Sequence, residues 1–272
     1  MNPRALAIWV AAVLLLSLGS EDPFLRVLTL GAALTVLLVR RRAGTRLRPA
    51  LLAVGVAALL TVLFNWLLSH TGQNVLLELP GWLPALGGPL TLEGAAYGLD
   101  LALGLAACIV AGISLSLIVQ PHQLVDSLPG LLSRTGAALG AAMTLVPRLG
   151  HSFLAVREAQ QMRGWRPRGM RSWTAVVVPS VLTTIEGSVL LAEAMEARAF
   201  GSGPRTALAT SRWRAPDLVI AATSSAAILG FVLALFLGRV PAWQPYPTLT
   251  VPALSWWPTL CCLGLFIPAL LP

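Results

Sequence analysis

The chain contains no lysine; all nineteen basic residues are arginine. This excludes chemistry that rests on a lysine amine. A P-loop places its lysine on the nucleotide phosphates, and a Schiff-base enzyme uses the amine as nucleophile. Charge of any kind is scarce, at 11% of residues, less than half the share of an ordinary soluble domain. The three cysteines, Cys108, Cys261 and Cys262, all fall inside apolar runs. They have neither metal-ligand spacing nor the pattern of a disulfide framework, and they read as small core residues. The three histidines, His70, His122 and His151, stand apart from one another and make no metal site. Ser–His pairs occur without a nucleophile elbow or a third partner, so no enzymatic constellation is legible.

What the chain has is apolar length. Of its 272 residues, 56% are hydrophobic, and its mean hydropathy is +0.78. Several long apolar runs predict an all-α, polytopic helical membrane protein. The runs lie at 5–18, 24–39, 50–68, 95–119, 216–238 and 251–271, giving about six transmembrane helices. Three stretches follow: 1–119 with four spans, an arginine-rich cytoplasmic region at 120–214, and the last spans in 215–272. The first two runs are short for a span of about 20 residues, a mismatch that tilt or bilayer thinning accommodates. MNPR followed by a short apolar run also resembles a signal peptide, although SLGSED is a poor cleavage site.

Loop charge orients the spans. With the N-terminus inside, the cytoplasmic parts carry Arg4, the five arginines of 40–48 and eleven more between 134 and 214. The outer side keeps Arg26 and Arg239, together with Glu21, Asp22, Glu78 and Glu93. Both termini are therefore expected in the cytoplasm, and the net charge of +8 reflects topology and partner docking rather than nucleic acid. Asn65, His70 and Asp100 are the polar residues nearest the spans. Asp100 and His70 are expected at span ends, in contact with interfacial water.

The arginine-rich region contains a repeat. EAQQMRGW (158–165) matches EAMEARAF (193–200) at an offset of 35 residues. Glu158 pairs with Glu193, Arg163 with Arg198, Gly164 with Ala199, and Trp165 with Phe200. VPR (146–148) and VPS (178–180) precede the two copies, and proline suits the first turn of a helix. Each copy thus predicts a helix beginning near Pro147 or Pro179 and ending at an arginine.

An arginine is favourable beside the unpaired carbonyls of a helix C-terminus, and Gly164, Gly201 and Gly203 let the chain turn away. Small neighbours on either side of Arg198 leave its guanidinium free to enter a groove and grip a carboxylate with both arms, with Trp165 or Phe200 as an apolar anchor. Ordinary C-capped helices with snorkelling arginines are the plainer reading. In 147–163, Leu149, Phe153 and Val156 share a face opposite Arg148, His151 and Glu158; in 179–198, Leu182, Ile185 and Val189 align. Both helices are amphipathic but strongly apolar, as expected of helices at the cytoplasmic interface. A seventh span over 175–192 is the alternative, at the cost of burying Glu186.

At these residues the chain resembles the transmembrane T component of energy-coupling factor (ECF) transporters, a branch of the ATP-binding cassette importers. The resemblance is strongest over 140–206 and weaker across the spans. That family carries two Ala-Arg-Gly-type tripeptides, each ending a long coupling helix. The counterparts here are Met162-Arg163-Gly164 and Ala197-Arg198-Ala199, so Met162 and Ala199 depart from the pattern while both arginines are kept. LVPRL (145–149) resembles the family's lead into the first coupling helix.

The resemblance implies that the two tips dock a pair of ABC-type ATPase subunits, which bind the ATP and magnesium; this chain itself carries no cofactor. It implies a third partner, a small membrane-embedded S component that selects a vitamin or metal ion. Glu158, Trp165, Glu193, Phe200 and Gly201 would support the tips. The expected location is the cell membrane of a prokaryote. The competing readings are a self-contained secondary transporter, which needs polar groups near the midplane, and a conventional ABC importer permease, whose single Glu-Ala-Ala loop fits two arginine tips poorly.

Overall fold

The computed structural model describes residues 2–40, 47–69, 72–78, 89–119, 133–199, 213–246, 250, 252 and 255–271. The chain divides into two compact units, Met1–Gln120 with Arg212–Pro272, and Pro121–Ser211.

In the first unit, α1 (Pro3–Gly19) opens with Pro3 at its first position, and the Asn2 side chain accepts from the Arg4 N–H. The Asn2 N–H in turn donates to Asp217 Oδ1 at 2.8 Å. Asp217 lies in the first turn of α7 (Ala215–Phe236) and accepts from the Arg214 N–H at 3.3 Å. One buried carboxylate therefore caps one helix and ties down the start of another. Leu6, Trp9, Val13 and Leu16 of α1 are fully buried, and α1 packs on α7, on α4 (Leu92–Ile118) and on α2 (Pro23–Arg40).

The small residues of α4 make it the hub. It contacts α1, α2 and α3 (Leu47–Leu68), with Gly98, Gly104, Ala106, Ala107 and Ala111 buried. Small side chains let apolar helices approach closely, the main source of helix association where no water is displaced. A Cβ at Gly98 would sit 3.1 Å from the Val62 carbonyl, and one at Gly104 would sit 3.2 Å from Arg26 Nε. By contrast α3 buries only Leu47 and Val54 and turns Leu52, Leu59, Leu60 and Phe64 outward. A helix apolar on nearly every side belongs in lipid or against another membrane protein.

A two-stranded antiparallel ladder, β1 (Val75–Glu78) and β2 (Pro89–Thr91), leads into α4. It adds strand to a fold expected to be wholly helical. The last apolar run folds as two consecutive short helices, α8 (Trp256–Gly264) and α9 (Ile267–Leu270). Arg40 at the end of α2 donates to the carbonyls of Pro268 and Leu271, so a guanidinium neutralises the C-terminal end of α9.

The second unit holds α5 (Ser133–Met162), a 3-10 turn (Met170–Trp173) and α6 (Thr174–Ala197). Pro147 and Pro179 lie inside α5 and α6, not at their starts. Each proline removes one N–H from the helical ladder, yet the apolar, helix-compatible residues before it continue the helix upstream, a tolerance common in membrane helices.

Among the described residues, five helical segments are long and apolar enough to cross a membrane: α2, α3, α4, Met170–Ala197 and α7. α1, of 17 residues, and Trp256–Leu270 are shorter apolar helices. The molecule is a multi-pass helical membrane protein. The segment around α6, expected at the interface, meets the length and composition of a span because a single Glu186 weighs little against its valines and leucines.

Candidate functional site

The two arginines of the repeat stand at the two helix ends. α5 stops at Met162 and α6 stops at Ala197, so Arg163 and Arg198 are the capping residues. After Arg163 the chain closes a complete Schellman turn. The Trp165 N–H donates to the Gln160 carbonyl at 2.9 Å and the Gly164 N–H to the Gln161 carbonyl at 3.0 Å. Gly164 sits at φ +84°, the left-handed conformation that glycine adopts without penalty. The second tip repeats the inner bond, with the Ala199 N–H donating to the Glu196 carbonyl at 2.8 Å. Phe200 and Gly201 lie outside the described residues.

Ala199 has φ 54°, the only positive value at a non-glycine among the described residues. A left-handed alanine costs about 1–2 kcal/mol, and glycine there gives back about 0.5–1 kcal/mol in unfolded-state entropy. Ala199→Gly is therefore expected to firm the last turn of α6 by about 0.5–1 kcal/mol. Amide exchange at Met195–Ala199 should slow about two- to five-fold, as read by hydrogen–deuterium exchange; faster exchange would contradict the strain.

Both guanidinium groups are available. Arg163, Arg198, Met162, Gly164, Ala197, Ala199, Glu158 and Glu193 are all exposed, and among the described residues neither arginine is in an ion pair. The first tip is braced from behind. Trp165 meets Trp173 edge-on at 5.4 Å between ring centres, and Trp173 stacks on Phe153 at 6.2 Å. The Trp165 indole N–H donates to the Ser172 carbonyl at 2.9 Å, and Ser172 Oγ accepts from the Arg168 N–H at 2.9 Å. The chain after the tip thus folds back along α5, carrying the exposed Arg166, Arg168 and Arg171. Neither Ser172 nor Trp173 stood out in the sequence; an aromatic eight residues after Trp165 was their single signal.

The packed side of α6 is not the predicted one. Leu182, Ile185 and Val189 are 54%, 54% and 51% exposed. The covered side instead carries Val176 and Ser180, followed by the half-buried Thr184, Ser188, Leu191 and Met195, and α6 packs on α5. The hydroxyls of Ser180, Thr184 and Ser188 each bond the carbonyl four residues back, which leaves a narrow, internally satisfied surface for helix contact. The bulky apolar residues point away from it. On α5, Phe153 and Val156 are half-buried as expected, but Leu149 is exposed.

Asp100 also departs from expectation. Rather than meeting interfacial water, it is buried in the N-terminal part of α4, 4% exposed and ion-paired with Arg26 of α2. Arg26, assigned by loop charge to the outer surface, is itself 7% exposed, and its Nε donates to the Ser20 carbonyl at 3.0 Å. His70 lies outside the described residues. Among the described residues no cluster of histidine, cysteine, aspartate and glutamate is placed to hold a metal ion.

Comparison with known proteins bears on the family. The energy-coupling factor transporter transmembrane protein BioN of Rhizobium etli is 27% identical over 161 residues, which cover 56% of this chain and 65% of that protein. Residues 1–208 match the model of the CbiQ family, described as cobalt transport protein. That match runs through α1 to the end of α6 and includes both arginine tips. The chain belongs to the CbiQ family of cobalt transport proteins.

Proposed function

We propose that this chain is the transmembrane coupling subunit of an ATP-driven importer of the ECF type, placed in the cell membrane with both termini in the cytoplasm. The observation that carries the reading is the pair of exposed arginines, Arg163 and Arg198, each at the end of a long helix and each followed by a left-handed residue, in a chain of the CbiQ family.

Helix ends rigidly capped in this way hold a guanidinium at a set position, ready to meet a carboxylate in a partner's groove. The partners are two ATPase subunits, which hold ATP and magnesium, and a small membrane-embedded substrate-binding subunit. Met162, Gly164, Ala197 and Ala199 shape the space around the arginines, and Glu158, Trp165 and Glu193 belong to the helix ends that carry them. The outward apolar residues of α6, Leu182, Ile185 and Val189, suit contact with another membrane protein. Closure of the ATPases on ATP moves the helices, and cargo selection, for a vitamin or metal ion, resides in the substrate-binding subunit. The chain is not itself an enzyme on this reading.

The test is reconstitution. Tagged protein purified from its native membrane should bring down two P-loop ATPase chains and a small hydrophobic subunit, and vesicles holding the set should accumulate cargo only with ATP. Uptake by this chain alone, driven by an ion gradient, would replace the reading with a secondary transporter.

A further inference from the structure

A cleft of about 780 Å³ opens in the first unit where the C-terminal ends of α1 and α3 meet the N-terminal ends of α2 and α4. This is the end of the unit opposite Arg40, the last residue of α2, and Leu47, the first of α3. Among the described residues its charged lining is Glu21, Arg26 and Asp100. Two carboxylates there face one guanidinium, an excess of one negative charge among these residues. Asp100 spends one carboxylate oxygen on Arg26, while its other oxygen, Oδ1, is buried and has no hydrogen-bond partner among the described residues. A buried acceptor left open is costly unless something donates to it.

Part of the remaining wall is aromatic. Tyr97, Tyr246 and Trp243 line the same cleft, with Tyr97 and Tyr246 5.9 Å apart between ring centres. The segment bearing Trp243 and Tyr246 is held over the cleft by two attachments. Ala242 bridges to Glu21, and Tyr246 Oη lies 2.6 Å from Ser69 Oγ. Aromatic faces attract cations. An open carboxylate oxygen at depth asks for an N–H donor, and the volume is that of a small-molecule site.

We infer that this cleft binds an ammonium group, carried by a small organic amine or by an aminophospholipid headgroup, with the N–H donors on Asp100 Oδ1, the positive charge balanced by Glu21, and Trp243 and Tyr97 against its apolar substituents. The role goes beyond coupling to ATPases and uses none of the residues of the arginine tips.

The experiment uses the full chain in nanodiscs of phosphatidylglycerol, with phenethylammonium chloride as probe and phenethyl alcohol as the uncharged control. A saturable rise in unfolding temperature is expected with the ammonium and not with the alcohol. Asp100→Asn orphans Arg26 and is liable to misfold, so the decisive variants are Glu21→Gln, at an exposed position, and Trp243→Leu. Each should weaken the apparent affinity by roughly tenfold while leaving the unliganded unfolding temperature in place.

Nanodiscs containing phosphatidylethanolamine distinguish the two sources. If that lipid alone raises the unfolding temperature and removes the response to added amine, the headgroup is the ligand; if it has no effect, the free amine is. Equal shifts with ammonium and alcohol, or shifts indifferent to Glu21→Gln and Trp243→Leu, would overturn the inference.

Discussion

Replacing Arg163 and Arg198 together with alanine is expected to abolish ATP-driven uptake and to weaken capture of the ATPase pair about a hundredfold or more. Each arginine contributes charge-assisted hydrogen bonds worth about 1.5–3 kcal/mol, so losing both removes enough to disperse an ordinary assembly. The effect belongs to docking and not to folding. Both side chains are exposed and outside any ion pair among the described residues, where substitutions change stability by less than about 0.5 kcal/mol. The variant should therefore insert and unfold like the parent while failing in pull-down and transport. Arg→Lys at both tips separates charge from shape. It keeps the positive charge but not the planar fork, and its uptake should fall between the parent and the double alanine. Uptake at the parent's rate in the double alanine variant would sink the proposed function.

The second large effect is expected at Asp100. Asp100→Ala leaves the Arg26 guanidinium without its counter-ion between α2 and α4, at a site 7% exposed. Removing one partner of a buried pair costs about 3–5 kcal/mol, whereas replacing both with apolar residues of similar size is often neutral. Asp100→Ala should accordingly unfold far earlier in a detergent thermal melt or denaturant series, and Asp100→Leu with Arg26→Met should recover most of the loss. Gly104 adds to the sensitivity of this point, because any side chain there would press on Arg26 Nε, 3.2 Å from the position of a Cβ. If the single and double variants melted together, near the parent, the pair would carry no weight in the packing of α2 on α4.

These two sites were legible in the sequence to very different degrees. Glycine at 164 and arginine at 163 and 198 are local signals. They act within one turn of chain, through carbonyls three or four residues away, so the helix ends at Met162 and Ala197 follow from neighbouring residues alone. Ala199 shows the limit of such signals. An alanine in place of glycine argues against a left-handed turn, yet the geometry of a helix terminus imposes φ 54° on it. The starts of the same helices misled for a related reason. Proline before an apolar run is a start signal in water, but helix-compatible residues on both sides of Pro147 and Pro179 outweigh one lost hydrogen bond.

Asp100 and Arg26 are 74 residues apart. No period or motif links them, and loop charge for Arg26 and nearness to a span end for Asp100 assign each by its position along the chain rather than by what lies across from it. The packed side of α6 was hidden similarly, because bulk and hydrophobicity normally mark the buried face. In a helix surrounded by apolar material the small hydroxyl residues pack against the neighbouring helix, and the leucines, isoleucines and valines turn outward.

By itself, then, the sequence determined that this is a helical, multi-pass membrane protein without a nucleotide-binding lysine, and where its two arginine-ended helices stop. Those properties arise from composition and from interactions within a turn. The tertiary structure alone decided which polar groups are buried, which helix faces meet, and that a carboxylate oxygen is buried without a hydrogen-bond partner among the described residues. Each of these depends on residues brought together from distant parts of the chain by close packing at small side chains, a contact that local chemistry does not encode.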